Sequence, residues 1–368
     1  MTSPEEELRY GAVEEELRAE LRAMLAERCP PAAVLARLET DEPVDARLWA
    51  TLAGTMGLAG LAVPEDRGGA GASLREAAVV LEELGRAVAP VPYLGCAVVA
   101  ATALLSCGGS HLLDGLAAGE RQVALAVPFA AAPERGWEAA VTVRGGRLHG
   151  TVRGVADAIT ADVLLVPAGH ALHAVDASVV RREQRTSLDE TRRLCDLTFD
   201  GAPGDVLASG EDARDAVTAA ITAGAALLGS EQLGVAEWCL ETTVVHVAGR
   251  YQFGRPVGSF QAVKHRLADV WVEVTQARAV ARYAAACAAV GDPQTRLAAA
   301  LAQAHCGPVA VTAAEACVQL HGGIGMTWEH PAHLYLKRAR SSALAFGAAD
   351  THRAVLADLV DLPPAPPR

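Results

Sequence analysis

Apolar residues recur at helical spacing through the first part of the chain. Between residues 5 and 28, Leu8, Val13, Leu17, Leu21 and Leu25 stand among glutamates and arginines, which predicts an amphipathic helix ended by Pro30 and Pro31. Similar patterns run from Leu48 to Met56 and from Leu74 to Val88, separated by LAVPEDRGGAGAS, where Pro64 and the glycines impose a loop. From about Gln122 the period changes. QVALAVPF, AAVTVRG, RLHGTVRG, ADVLLVPA and DLTFDG are short, valine-rich and bounded by turn residues, with Gly145-Gly146 suited to a hairpin. After Gly210 the helical period returns until about Leu362, and the PPAPPR end is expected to fray. The pattern predicts an α+β chain in three parts: a helical domain over 1–120, a central antiparallel β domain over 121–206 and a second helical domain over 207–368.

Two stretches of the last part interrupt their helices in a way that bears on chemistry. RYQFGRPVGSFQAVKHRLADVWVE, Arg250 to Glu273, begins with Gly254, Pro256 and Gly258. It then places Phe260, Val263, Leu267, Val270 and Val274 three and four apart, so a turn feeds an amphipathic helix. Ser259 stands where an N-cap is wanted. The free N–H groups there, with Arg250 and Arg255 nearby, would suit an anion such as a phosphate. An ordinary helix–loop–helix corner with solvated arginines is the plainer reading of that stretch by itself. In QLHGGIGMTWEHPAHLYLKRAR, Gln319 to Arg340, Gly322, Gly323 and Gly325 break an alanine-rich helix and let backbone approach a ligand or turn sharply.

Together these stretches resemble the acyl-CoA dehydrogenase family. Its Arg-x-x-Phe-Gly-x-Pro-x-x-x-Phe-Gln and Gln-x-x-Gly-Gly patterns are matched by Arg250, Phe253, Gly254, Pro256, Phe260, Gln261, Gln319, Gly322 and Gly323. VPEDRGGAG followed by Glu82, Glu83, Leu84 and Gly85 is similar to the family's N-terminal domain, so the resemblance covers essentially the whole chain. It implies an N-terminal helical domain, a central β-barrel domain and a C-terminal four-helix bundle. It also implies FAD held by Arg250, Gln252, Phe253, Phe260, Gln261, Gln319, Gly322 and Gly323, the last three reaching the flavin of a neighbouring subunit. The implied partners are an acyl-CoA or other acyl thioester, electron-transfer flavoprotein as electron acceptor, and further subunits in a homo- or hetero-oligomer.

The chemistry so implied is α,β-dehydrogenation. A carboxylate takes the proton next to the thioester carbonyl while hydride leaves the next carbon for the flavin. Here the chain departs from the pattern. The position of the commonest base is Phe346, before Gly347, and that of the alternative base, 26 residues before Arg250, is Gly224. The substrate-binding arginine beside the second position is missing from Thr222, Ala223, Gly224 and Ala225. The Trp-x-Thr that faces the flavin reads Gly154, Val155, Ala156, and the family's Glu-Pro reads Val127-Pro128. Glu231, seven residues after Gly224 on the same predicted helix face and about 10 Å away, is the candidate replacement base. A carboxylate inside a helical bundle more often pairs with an arginine. Glu237 and Glu241 are expected to face solvent. His265 and His321 lie in the cofactor motifs and are expected to be structural or hydrogen-bonding residues.

Three functions follow from these residues: a working dehydrogenase with a relocated base; a flavin-holding, non-catalytic subunit paired with a complete relative, as in heteromeric actinobacterial-like members; or a flavin enzyme of another kind on the same fold, such as a two-component monooxygenase. Composition narrows the rest. The formal net charge is −12 and the basic residues are scattered, which argues against a nucleic-acid partner. No uninterrupted apolar run reaches membrane-spanning length, and the acidic N-terminus does not resemble a secretion signal, so the expected location is the cytoplasm. The eight cysteines contain no C-x-x-C pair, which suggests buried thiols with neither a metal site nor a disulfide framework.

Overall fold

The computed structural model describes residues 8–40, 42, 44–108, 111–134 and 137–362. Helix α1 covers Ala12–Arg28 and α2 covers Pro31–Leu38, so Pro31 opens the second helix at a position where its missing N–H costs nothing. The described helix therefore begins later than the pattern suggests, and residues 5–7 of that stretch lie outside those described. Helix α3, Ala46–Ala50, runs on into a π-turn at Thr51–Thr55. Helix α4, Leu74–Ala87, is started by Ser73, whose hydroxyl and the Glu76 carboxylate cap each other's backbone, and is stopped by Val88 in a left-handed conformation. A second π-helical segment, Leu94–Ala100, passes into α5, Ala101–Ser106, and α6 covers His111–Ala117.

Eight strands follow as one sheet: β1 Val123–Leu125, β2 Val141–Arg144, β3 Arg147–Ala156, β4 Val163–Ala168, β5 Ala171–Asp176, β6 Arg181–Arg185, β7 Leu194–Ala202 and β8 Asp205–Ser209. Their order is β6-β7-β3-β2-β4-β5-β8, with β1 also paired to β4. Gly145 and Gly146, both at positive φ, turn β2 back onto β3. The sheet is mostly antiparallel, but β1 and the end of β2 run parallel to β4, which alternation of side chains could not reveal.

Helix α7, Gly210–Gly249, is 40 residues long. A small hairpin of β9 Tyr251–Gln252 and β10 Arg255–Pro256 links it to α8, Gln261–Val290, and then come α9 Thr295–His321, α10 Ala332–Ser342 and α11 Ala349–Leu359. The residue capping α8 is Phe260. Ser259 belongs to a short 3-10 turn and its buried hydroxyl has no partner, so it is not the N-cap that spacing suggested. By length and composition, Thr295–Met326 is long and apolar enough to cross a membrane, with 67% of its apolar window buried in the protein. An alanine-rich helix enclosed by α7, α8, α10 and α11 is apolar all round for that reason.

The core is continuous through both helical parts, while the interior of the sheet forms a second cluster around Leu148, Leu164, Val166 and Leu197. Glycine sets the closest approach between the two helical parts. A Cβ on Gly85 would come 2.2 Å from the Glu231 carbonyl, and one on Gly234 would come 1.9 Å from the Glu82 carbonyl. Helices α4 and α7 thus cross with their backbones in contact. All eight cysteines are free, and all but Cys107 are buried.

Candidate functional site

A cavity of about 30 Å³ lies where the sheet and the segment after β1 meet the Leu94–Ala100 segment and Phe346. Val127, Pro128, Phe129, Ala156, Asp157 and Phe346 form much of its wall. Cavities that hold small organic ligands run to roughly 300 Å³ and more, whereas this one has room for about one water. Phe346 occupies the missing volume. Its ring meets Phe129 edge-on at 5.5 Å between centroids, and a Cβ built on Gly224 would fall 2.7 Å from its Cζ. The residues at the two expected base positions, Phe346 and Gly224, are therefore in contact with each other. The segments that depart from the pattern at Val127-Pro128 and Gly154–Ala156 also reach this wall, through Val127, Pro128 and Ala156.

The plug is built into the backbone. Phe346 sits at φ 52°, costly for an aromatic residue, and is held there on both sides. Its N–H donates to the Phe129 carbonyl at 2.8 Å, and its own carbonyl lies 2.9 Å from His352 Nε2. Asp157 is the carboxyl on the cavity wall. It too has a left-handed backbone, and its Oδ2 accepts from the Gly95 N–H at 3.1 Å. Burial pushes its pKa up, against the pull of Arg192.

Glu231 does not face this cavity as a free base. It is fully buried, accepts two hydrogen bonds from the Arg192 guanidinium, and lies 3.3 Å from Arg338 Nη1 and 3.4 Å from Ser342 Oγ. Arg338 in turn donates to Asp189 Oδ2 and Thr191 Oγ1, each at 2.6 Å. Burial alone would raise the Glu231 pKa, but the two guanidiniums outweigh it and hold the carboxylate at about 2. A carboxylate with both oxygens engaged and so little affinity for a proton cannot take one from an α-carbon. The candidate base is instead the centre of an ion cluster that ties the β6–β7 connection to α7 and α10. Glu237, expected in solvent, is buried and accepts from Arg278 at 2.7 Å, while Glu241 is exposed and takes the Arg86 guanidinium.

The residues of the two glycine-containing motifs lie elsewhere. Gly224 and Arg250 are separated by 26 residues, 25 of these steps lying within one helix, or nearly 40 Å at 1.5 Å per residue. Arg250 follows the end of α7 and is exposed, and among the described residues no carboxylate is paired with it. Gln252 and Phe253 sit on the hairpin, Phe253 at φ 52° and 91% exposed. Gln261 is exposed at the start of α8, and Phe260 carries the Arg255 guanidinium on its ring at 3.9 Å. Gln319, Gly322 and Gly323 are exposed at the end of α9, and a Cβ on either glycine would meet nothing within 4 Å. Tilted imidazoles in contact bring the two motifs together: His246, four residues before Arg250, lies 4.2 Å from His321, which precedes Gly322, and His321 lies 4.2 Å from His330. His321 Nδ1 is 2.7 Å from the Cys317 carbonyl, which accounts for it as a structural residue. His265 is exposed.

A motif surface carrying Arg250 and Arg255 thus lies at one end of α7, and the small cavity beside Phe346 lies far along the same helix from it. The chain belongs to the acyl-CoA dehydrogenase family. Family models for the acyl-CoA dehydrogenase N-terminal and C-terminal domains match residues 12–114 and 214–360. Acyl-CoA dehydrogenase IpdE2 of Mycolicibacterium smegmatis is 36% identical over 331 residues, covering 90% of this chain and 93% of that protein. IpdE2 of Mycobacterium tuberculosis is 38% identical over 346 residues, 93% of each. Among solved structures, the ChsE4-ChsE5 complex from Mycobacterium tuberculosis superposes with a TM-score of 0.85 at 27% identity, over 97% of this chain and 100% of that one. Members of the family are FAD-binding oxidoreductases that act on CH–CH groups of acyl-CoA.

The residues present fit that cofactor in one of its two parts. The motif surface offers a guanidinium that has no carboxylate partner among the described residues, exposed amides and glycine backbone open to close approach. The cavity beside Ala156 has no room for a flavin ring.

Proposed function

We propose that this chain is the catalytically silent subunit of a heteromeric acyl-CoA dehydrogenase and completes the FAD site of a catalytically complete relative. The observation that carries the reading is the contact between Phe346 and Gly224, which fills both base positions and the acyl space between them. Nearly 40 Å of helix between that cavity and Arg250 supports the second half, because a cofactor gripped at Arg250 lies far from this chain's own cavity. Arg250, Gln252, Phe253, Phe260 and Gln261 would take the cofactor's pyrophosphate and neighbouring groups, with Gln319, Gly322 and Gly323 beside them. A guanidinium offers paired donors to phosphate oxygens. FAD supplies hydride acceptance when bound, and the α-proton would go to the partner's carboxylate. The assembled complex would oxidise an acyl thioester and pass electrons to electron-transfer flavoprotein.

A relocated base is the second reading, and Asp157 favours it as the buried carboxyl on the cavity wall whose pKa is raised. One experiment separates the two. The chain is purified alone and after co-expression with a base-containing relative, and each sample is mixed anaerobically with acyl-CoA while flavin absorbance is followed. The silent-subunit reading expects bleaching from the co-expressed pair only. Bleaching by the chain alone that is lost in Asp157→Asn overturns it in favour of the second reading.

A further inference from the structure

A second hollow, of about 330 Å³, opens among α1, α4, α7 and α10, and it belongs to neither the acyl cavity nor the motif surface. Its aromatic wall is Trp238, which lies 14 residues past Gly224 on α7, about 21 Å along the helix. Trp238 stacks on Tyr335 with centroids 3.5 Å apart and rings 3° from parallel. Tyr335 is fully buried, and its hydroxyl donates to the Arg86 carbonyl at 2.8 Å. Trp238 is only half buried, and both rings line the cavity. Pro30 and Pro31 stiffen the opposite side.

The charged groups of the lining are Arg22, Glu83 and Arg86. Arg22 spends Nε and Nη2 on Glu83, at 2.9 and 2.6 Å, and Arg86 spends Nη1 and Nη2 on Glu241. These pairs hold both guanidiniums still and leave Arg22 Nη1 and Arg86 Nε as further donors. With Glu241 counted the charges balance, so the lining offers these remaining donors beside a rigid indole, in a volume at the lower end of small-ligand cavities. We propose that this hollow is a binding site for a flat aromatic anion of about two fused rings, its ring system continuing the Tyr335–Trp238 stack and its carboxylate facing Arg22 and Arg86.

The test titrates 2-naphthoate into the full-length chain, with heat and tryptophan fluorescence as readouts. One saturable site is expected. Trp238→Leu should weaken it about tenfold or more, as the loss of one stacking face and its fluorescence signal implies. Ala26→Trp, which adds bulk to the α1 side of the cavity without removing a contact, should abolish binding while the far-ultraviolet circular dichroism stays unchanged. Uncharged 2-naphthalenemethanol should bind more weakly than the carboxylate. The proposal is overturned if no saturable binding appears at millimolar naphthoate, if binding survives both substitutions, or if it disappears once a partner subunit is assembled, which would make the hollow a subunit contact.

Discussion

Glu231 illustrates how far a residue's neighbours can alter its chemistry. Spacing along α7 put it on the Gly224 side of the helix, where a base would be useful, and that much was legible. Its partners Arg192 and Arg338 come from 39 and 107 residues away, and no local pattern announces them. Phe346 and Gly224, at the positions where the resemblance places a base, were legible as residue types. Their contact was not, because the chain must fold to bring them together. The pKa of Glu231 has a testable sign. Folding lowers it from about 4.5 to about 2, so the stability it contributes is present above pH 4.5 and disappears as the pH falls toward 2; the full difference is worth about 3 kcal/mol. Glu231→Gln should lower the urea midpoint at pH 7, because two buried guanidiniums lose their counter-charge, at a cost of roughly 3–5 kcal/mol. The gap between variant and parent should narrow as the pH drops through that window. A gap that stays constant from pH 7 to pH 3 would mean that the carboxylate's charge contributes nothing.

At the scale of elements, long periodic helices were the most readable feature and their ends the least. The α4 boundaries were visible from the apolar spacing over Leu74 to Val88 and the Pro- and Gly-rich loop before it. The two π-helical segments, Thr51–Thr55 and Leu94–Ala100, keep a helical pattern and differ only in hydrogen-bond register, which spacing does not encode. Strand β6, RREQR, escaped notice because it is an edge strand of exposed charges, a composition that discourages edge-to-edge pairing and lacks alternation. Gly234 had no evident role in the sequence, yet in the fold it lets α4 lie against α7. Gly234→Ala should therefore separate the two helices despite the better helix propensity of alanine, which would contribute only about 1 kcal/mol. Backbone on both sides cannot yield as a side-chain tip would, so a net loss of about 2 kcal/mol or more is expected in thermal or urea unfolding. A variant as stable as the parent would show that the crossing has slack.

For the molecule as a whole, the length of α7 is the quantity on which the proposed function rests. It sets the small cavity apart from the motif surface, which is what the proposed silent subunit needs if it is to serve a neighbour's cofactor. If flavin is shared across a subunit interface, its retention is linked to association. Dilution that separates the subunits should release it, since whatever binds only the assembled form is lost with that form. We expect the flavin fluorescence of the co-purified complex to rise on dilution together with the fall in native mass. Arg250→Ala should shift that release to higher protein concentration, because a paired-donor contact to an anion is worth about 1.5–3 kcal/mol. Parent chain that keeps full flavin as a monomer would contradict sharing altogether. Release that follows dissociation equally in parent and Arg250→Ala would keep the sharing but assign the grip to other residues, with Gln319 at the end of α9 the next to substitute.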